Sequence, residues 1–189
     1  MTEYTMPGWK ANLSGFFWII PLAVLFGVPF VWIWHCEAGW ANAWSSVLEK
    51  NRTLITKAVD AKWWVAASLW VGVVLHELIH GAGMAVGAAG GWKSVSFGFN
   101  AKALAPYAHC REPMTPAAYR ISLIMPALLL GAIPATCGCC TGNIAALLYG
   151  LLFIWTAAGD LMICLMSRKI KTGLLQDHPR KIGFIHLDE

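Results

Sequence analysis

The stretch that decides the fold is residues 63–80, which read WWVAASLWVGVVLHELIH. Its first part, from Trp63 to Leu75, contains no charged residue, and the apolar character continues beyond the stretch to Gly90. A helix needs about 20 predominantly apolar residues to cross a hydrocarbon core of roughly 30 Å. The sequence therefore predicts a membrane-spanning helix over residues 63–90 that carries three polar side chains.

Those polar side chains form a His-Glu-x-x-His motif from His76 to His80. Residues four apart lie on one face of a helix, so both imidazoles can reach one zinc ion at about 2.0–2.1 Å. Glu77 lies beside the metal, where it can take a proton from water whose pKa zinc lowers to about 7. The motif predicts a zinc site with Glu77 as general base. A chance match is disfavoured, because the costliest ionisable residues in a span each cost roughly 2.5–3.5 kcal/mol.

A catalytic zinc ion normally has three protein ligands and one open position. Asp160 is the only other carboxylate well inside a predicted span, and about 9 Å of helix separates it from Ser167. His80 lies at a comparable depth in its own span. The sequence therefore favours Asp160 as the third ligand over His109 and Asn100, which we interpret as ordinary loop residues.

The composition supports a membrane protein of one domain. The chain has 189 residues, of which 58% are hydrophobic and 13% charged, and its mean hydropathy is +0.57. Soluble domains carry about 25% charged residues. The net charge of +4 fits basic residues next to the membrane better than a nucleic-acid surface, so we expect no nucleic-acid partner.

Three further apolar runs predict the remaining spans, at residues 15–34, 119–136 and 144–166. The first run is too long for a signal peptide and is interpreted as a retained anchor. The expected fold class is an all-α integral membrane protein with about four transmembrane helices and a short β-hairpin-like loop between the second and third. Its parts are an anchor span with an amphipathic extramembrane segment (1–62), a core of three spans that carries the metal motif (63–166) and a basic cytoplasmic tail (167–189).

The distribution of basic residues predicts the orientation of these spans. Four basic residues fall on one side of the membrane: Lys50, Arg52, Lys57 and Lys62. Ten fall on the other side: Lys10, Lys93, Lys102, Arg111, Arg120, Arg168, Lys169, Lys171, Arg180 and Lys181. Because cytoplasmic loops carry the excess of Lys and Arg, both termini are expected in the cytoplasm of a plasma (inner) membrane protein.

The loop between the second and third spans alternates polar or small residues with apolar ones over residues 94–105. This pattern is typical of a strand. A hairpin near the metal site can bind an extended peptide by strand addition, but a surface hairpin without substrate contact is an equally good interpretation.

Small residues and cysteines add three further expectations. Gly83, Gly87 and Gly91 recur every four residues, a strip that lets another helix approach closely and that we expect to receive the Asp160 helix. Asn143 is interpreted as a helix cap. The cluster from Cys137 to Cys140 and Cys36 are both expected outside the cell, which leaves a disulfide between them open.

These motifs together resemble the site-2-protease-like intramembrane zinc metalloproteases and, more narrowly, are similar to a small four-span zincin peptidase family. The resemblance covers residues 63–183 and rests on the motif with its following glycine (76–81), residues 110–115, Pro126, and the pair Gly159-Asp160. One departure is the acid itself. The better-known site-2 proteases carry Asn-Pro-Asp-Gly or Leu-Asp-Gly, whereas residues 158–161 here read AGDL.

The resemblance implies a membrane-embedded zinc metallopeptidase that hydrolyses peptide bonds of membrane-associated peptides or proteins, with the lipid bilayer as its other partner. The alternative is a metal-binding or metal-transport membrane protein that uses the same ligands without hydrolysis. Glu77 discriminates between them, because a transport site needs ligands but no adjacent general base. The oligomeric state cannot be predicted from the sequence.

Overall fold

The computed structural model of the chain describes residues 1–35, 40–100, 105–179 and 181–188. Helices dominate this part of the chain. In order they are α1 (Gly8–Leu22), α2 (Val28–His35), α3 (Trp40–Lys50), α4 (Arg52–Asp60), α5 (Lys62–Gly87), α6 (Pro116–Pro126), α7 (Ile133–Thr141), α8 (Ile144–Thr156) and α9 (Ala158–Ser167).

The described residues also form five short strands, so the fold is mainly helical, as expected, but contains more β-structure than the hairpin that the sequence predicted. The strands are β1 (Thr2–Met6), β2 (Val95–Asn100), β3 (Ala105–Cys110), β4 (Leu174–Asp177) and β5 (Ile182–Leu187). β2 and β3 form an antiparallel hairpin, and the other three form a second antiparallel sheet in the order β1-β5-β4. The hairpin-like loop between the second and third spans is confirmed, and it extends to Cys110.

Within the described ranges, three helical segments are long and apolar enough to cross a membrane, and a fourth qualifies if α8 and α9 count as one bent span. The three are Gly8–Trp34, Lys62–Gly87 and Pro116–Thr141. Two of them pass through π-helical turns, at Ala23–Gly27 and Ala127–Ala132, each shortly after an interior proline. A proline lacks the N–H that continues the α-helical ladder, which explains the local change of winding.

The fourth predicted span is not one straight helix. α8 and α9 meet at an angle of 49° across Ala157. The Thr156 hydroxyl donates to the Phe153 carbonyl, a bond that bends helices, and Gly159 lowers the helix propensity just after the break. Asp160 therefore lies in the first turn of a separate short helix.

The two ends of the chain lie in one sheet, which the sequence did not predict. β5 pairs with β1 on one side and with β4 on the other, so part of the segment expected as a basic tail (167–189) is folded. Leu175 and Phe184 of this sheet are fully buried against residues of α5 and α6. The sheet thus closes one end of the helix bundle.

The predicted glycine strip packs against a different helix from the one expected. A Cβ added at Gly83 would lie 2.8 Å from the Ser122 Cα, and one at Gly87 would lie 2.8 Å from the Ala118 Cβ. Both neighbours belong to α6, and Gly91 lies beyond the end of α5. The strip therefore brings α5 against α6, and the expectation that it receives the Asp160 helix is wrong.

Candidate metal site

Three side chains from two helices converge at the centre of the bundle. His76 and His80 project from successive turns of α5, and Asp160 projects from the first turn of α9. The Oδ2 atom of Asp160 lies 3.2 Å from the Nε2 atom of each histidine, and the two Nε2 atoms lie 3.1 Å apart. Both histidines are buried, and the Asp160 side chain is 25% exposed.

The spacing of these three atoms fits a zinc ion. Ligands at about 2.0–2.1 Å in a tetrahedral site lie roughly 3.3–3.4 Å from one another. The observed separations of 3.1–3.2 Å are close to this value. Among the described residues, no other group of three His, Cys, Asp or Glu side chains is close enough to hold a metal. Two neutral imidazoles and one carboxylate are also a donor set that zinc accepts.

The orientation of the His80 ring is fixed from outside the site. Its Nδ1 atom lies 2.8 Å from the backbone carbonyl oxygen of Ser122 on α6. A carbonyl oxygen only accepts, so Nδ1 must carry the proton. In the neutral ring Nε2 then has a free lone pair, and it is the atom that faces His76 and Asp160. The Nδ1 atom of His76 is buried without a hydrogen-bond partner in the described part of the chain.

Glu77 lies beside the three ligands, and the hairpin holds it. Its Oε2 atom accepts a hydrogen bond of 2.7 Å from the backbone N–H of Ala108 on β3. The Arg111 N–H donates to the Ser94 carbonyl, which makes these two residues a hydrogen-bonded pair of the ladder. Hydrogen-bonded and non-hydrogen-bonded pairs alternate along an antiparallel ladder, so Ala108 and the opposite residue, Phe97, make no hydrogen bonds to each other. The N–H of Ala108 is therefore directed away from β2, and the free edge of β3 faces α5, the helix that carries Glu77.

The outer edge of β3 offers few free donors. Cys110, two residues further on, donates its N–H to Asp177 at 3.0 Å, and Pro106, two residues earlier, has no N–H. The outward N–H groups at positions 108 and 110 are thus both occupied by carboxylates. A peptide that adds to this edge would have to use the carbonyl groups of β3 or displace Glu77.

Two cavities meet at Glu77. The larger has a volume of about 820 Å³ and is lined by His80, Asp160, Tyr107, His109 and residues of the terminal sheet. The smaller has a volume of about 420 Å³ and lies between α5 and α8, with Leu69, Trp70, Val73 and Phe153 in its wall. Glu77 and Pro106 line both. A larger cavity that contains several polar side chains and a smaller, mainly apolar one therefore adjoin the same carboxylate.

A second polar cluster in the larger cavity escaped the sequence analysis. Asp177 of β4 accepts from the Tyr119 hydroxyl at 2.9 Å, and its Oδ2 atom lies 3.7 Å from the Nδ1 atom of His109. Burial raises the pKa of the Asp177 carboxyl, an effect that the N–H of Cys110 and the Tyr119 hydroxyl partly oppose. His109, interpreted from the sequence as an ordinary loop residue, lies in the cavity wall. Asp177 was not predicted as a site residue, because nothing in the sequence indicated that the C-terminal segment folds back against the helices.

The remaining predicted residues have mixed outcomes. Asn143 caps α8, accepting from the N–H groups of Ala145 and Ala146, as expected. Asn100 ends β2, but its side chain is not among those described. Cys36 also lies outside the described residues, so its disulfide with the cluster at Cys137 to Cys140 stays a prediction.

An HExxH helix whose histidines meet a carboxylate from a later helix defines a zincin-type metal site. Residues 69–175, more than half of the chain, match the protein family described as "Putative zincin peptidase". The chain belongs to this family, and membership implies zinc. Neither the curated proteins nor the solved structures include a match.

Proposed function

We propose that the chain is a membrane-embedded zinc metallopeptidase of the site-2-protease-like type, with His76, His80 and Asp160 as zinc ligands and Glu77 as general base. The observation that carries the proposal is the convergence of three ligand atoms beside a carboxylate that lines two cavities. A metal-transport protein would need the ligands but not Glu77.

The zinc ion, when bound, supplies Lewis acidity: it lowers the pKa of water towards 7 and polarises a carbonyl group. Glu77 supplies the proton transfer. Its Oε2 atom is held by the Ala108 N–H, so Oε1 is the atom we assign to receive the proton from the attacking water. The same oxygen then returns the proton to the leaving nitrogen, which is an ordinary role for a carboxylate that stays in place through the reaction.

We propose a membrane-associated peptide or protein as the substrate. The apolar cavity between α5 and α8 suits an apolar side chain, and the larger cavity has room for an extended backbone. Strand addition at β3 is less well supported than the sequence alone indicated, because both outward N–H groups are occupied.

The membrane setting is also a proposal. It is supported by three or four segments with the length and composition of spans, and by large apolar side chains that are exposed along them, such as Phe17, Trp32, Trp70 and Leu128. The excess of basic residues on one side supports a multi-pass plasma (inner) membrane protein with both termini in the cytoplasm.

Removal of zinc tests the proposed function. Treatment of the purified, detergent-solubilised chain with a strong zinc chelator is expected to abolish cleavage of a quenched fluorescent peptide, and one equivalent of zinc should restore it. Magnesium at the same concentration is the control and should restore nothing, since it prefers oxygen ligands. Cleavage that survives complete loss of zinc would refute the proposal.

Cysteine labelling tests the orientation. Cys137 and Cys140 are exposed at the end of α7 that we place outside the cell. A membrane-impermeant maleimide added to intact cells that have been treated with a reductant is expected to modify both cysteines, and mass spectrometry locates the modified residues. The exposed Lys169 is placed in the cytoplasm, so a Lys169→Cys variant provides the matched control and should react only after permeabilisation. The reverse pattern of labelling would invert the topology.

A further inference from the structure

The hydrogen bond between His80 and Ser122 depends on a carbonyl oxygen that its own helix leaves free. In an α-helix the N–H of residue 126 would donate to the carbonyl of residue 122. Residue 126 is a proline and has no N–H to donate. The Ser122 carbonyl instead accepts from His80 Nδ1 at 2.8 Å, at a site where both residues are buried.

A second residue makes this contact possible from the other helix. Gly83 lies three residues after His80 on the same face of α5, directly against Ser122. Any side chain there would collide with the α6 backbone, because the Ser122 Cα lies only 2.8 Å from the position of a Cβ. The Ser122 hydroxyl is engaged elsewhere, donating to the Tyr119 carbonyl, so the backbone oxygen is the group presented to His80.

We propose that Pro126 and Gly83 are positioning residues of the metal site, which together present the Ser122 carbonyl to His80 and so hold its ring with Nε2 directed at the metal. The inference rests on the proposed zinc site and adds what fixes one ligand in its binding tautomer. Outer partners of this kind typically change metal affinity by about 10–100-fold.

Restoring the missing N–H is the test. In Pro126→Ala the new N–H competes for the Ser122 carbonyl and draws it towards the helix axis, which weakens its bond to His80. We expect zinc affinity, measured by competition with a chromophoric chelator, to fall about 10-fold. If Pro126 affected only the stability of α6, Pro126→Ala would stabilise the helix and would not lower zinc affinity, because alanine is a far better helix former than proline.

Two further variants make the comparison specific. Pro134→Ala removes the other interior proline of the same helical segment, away from the site, and should leave zinc affinity unchanged. Gly83→Ala should lower the affinity by separating α5 from α6 while leaving Pro126 in place. If Pro126→Ala binds zinc within twofold of wild type, the role assigned to Pro126 is wrong.

A readout without metal separates this inference from the proposed function. Nitrogen-15 NMR of histidine-labelled, metal-free protein, recorded at a pH at which the His80 ring is neutral, distinguishes a proton on Nδ1 from one on Nε2, and His80→Gln assigns the signal. We expect the neutral His80 ring to carry its proton on Nδ1 in wild type, and to shift towards a mixture of tautomers in Pro126→Ala. A wild type that binds no zinc would refute the proposed function only. Identical tautomer populations in wild type and Pro126→Ala would refute this inference only.

Discussion

Replacing Glu77 by glutamine is expected to lower the rate of peptide cleavage by roughly 10²–10⁴-fold, the contribution of a positioned general base. Glutamine keeps the shape of the side chain and an oxygen that can accept the Ala108 N–H, so the hairpin contact should survive. It has no carboxylate to hold a proton. Zinc content should stay at the wild-type level, because Glu77 is not one of the three converging ligands. The measurement is the initial rate of peptide cleavage by the two purified proteins at equal zinc loading.

Glu112→Gln is the matched control for this experiment. Glu112 accepts from the Gly90 N–H in the segment between β3 and α6 and does not line either cavity at Glu77. Its replacement should leave the rate within about twofold of wild type, in the range of substitutions away from the chemistry. Undiminished cleavage by the Glu77 variant would remove Glu77 from its assigned role.

The helical part of the fold was predictable because it depends on local composition. Runs of apolar residues indicate spans directly, and those at residues 63–90 and 119–136 overlap helices that the structure contains. The bend within the fourth run was not predicted, since a turn at Ala157 leaves the apolar composition unchanged. The terminal sheet was missed for another reason: β1 and β5 are far apart in sequence, and pairing over that distance leaves no periodic signal.

The candidate site was also predictable from the sequence only in part. His76, Glu77 and His80 lie within five consecutive residues of one helix, so their spacing alone indicated a site. Asp160 was found by eliminating other buried carboxylates, and the structure places it beside both histidines. The groups that hold these residues, the Ser122 carbonyl and the Ala108 N–H, are backbone atoms. A backbone atom has no residue type to recognise, so the sequence could not indicate either of them.

Loss of the third ligand is the second large effect we expect. Asp160→Ala leaves two histidines of one helix as the remaining protein ligands, one fewer than catalytic zinc sites normally use. The fall in zinc affinity should exceed about 100-fold, which is the upper end of the loss seen when a group that only hydrogen-bonds a metal ligand is removed. Peptide cleavage at limiting zinc should disappear with it. Asp177→Asn is the matched control. Asp177 lies in the same cavity, but it accepts hydrogen bonds from Tyr119 and Cys110 and is not one of the three converging ligands.

Zinc content after purification without added metal, measured by elemental analysis on wild type, Asp160→Ala and Asp177→Asn, tests the central claim most directly. The site of His76, His80 and Asp160 predicts about one zinc per chain in wild type and in Asp177→Asn, and close to none in Asp160→Ala. Equal zinc in wild type and Asp160→Ala, or a wild type without zinc, would contradict it.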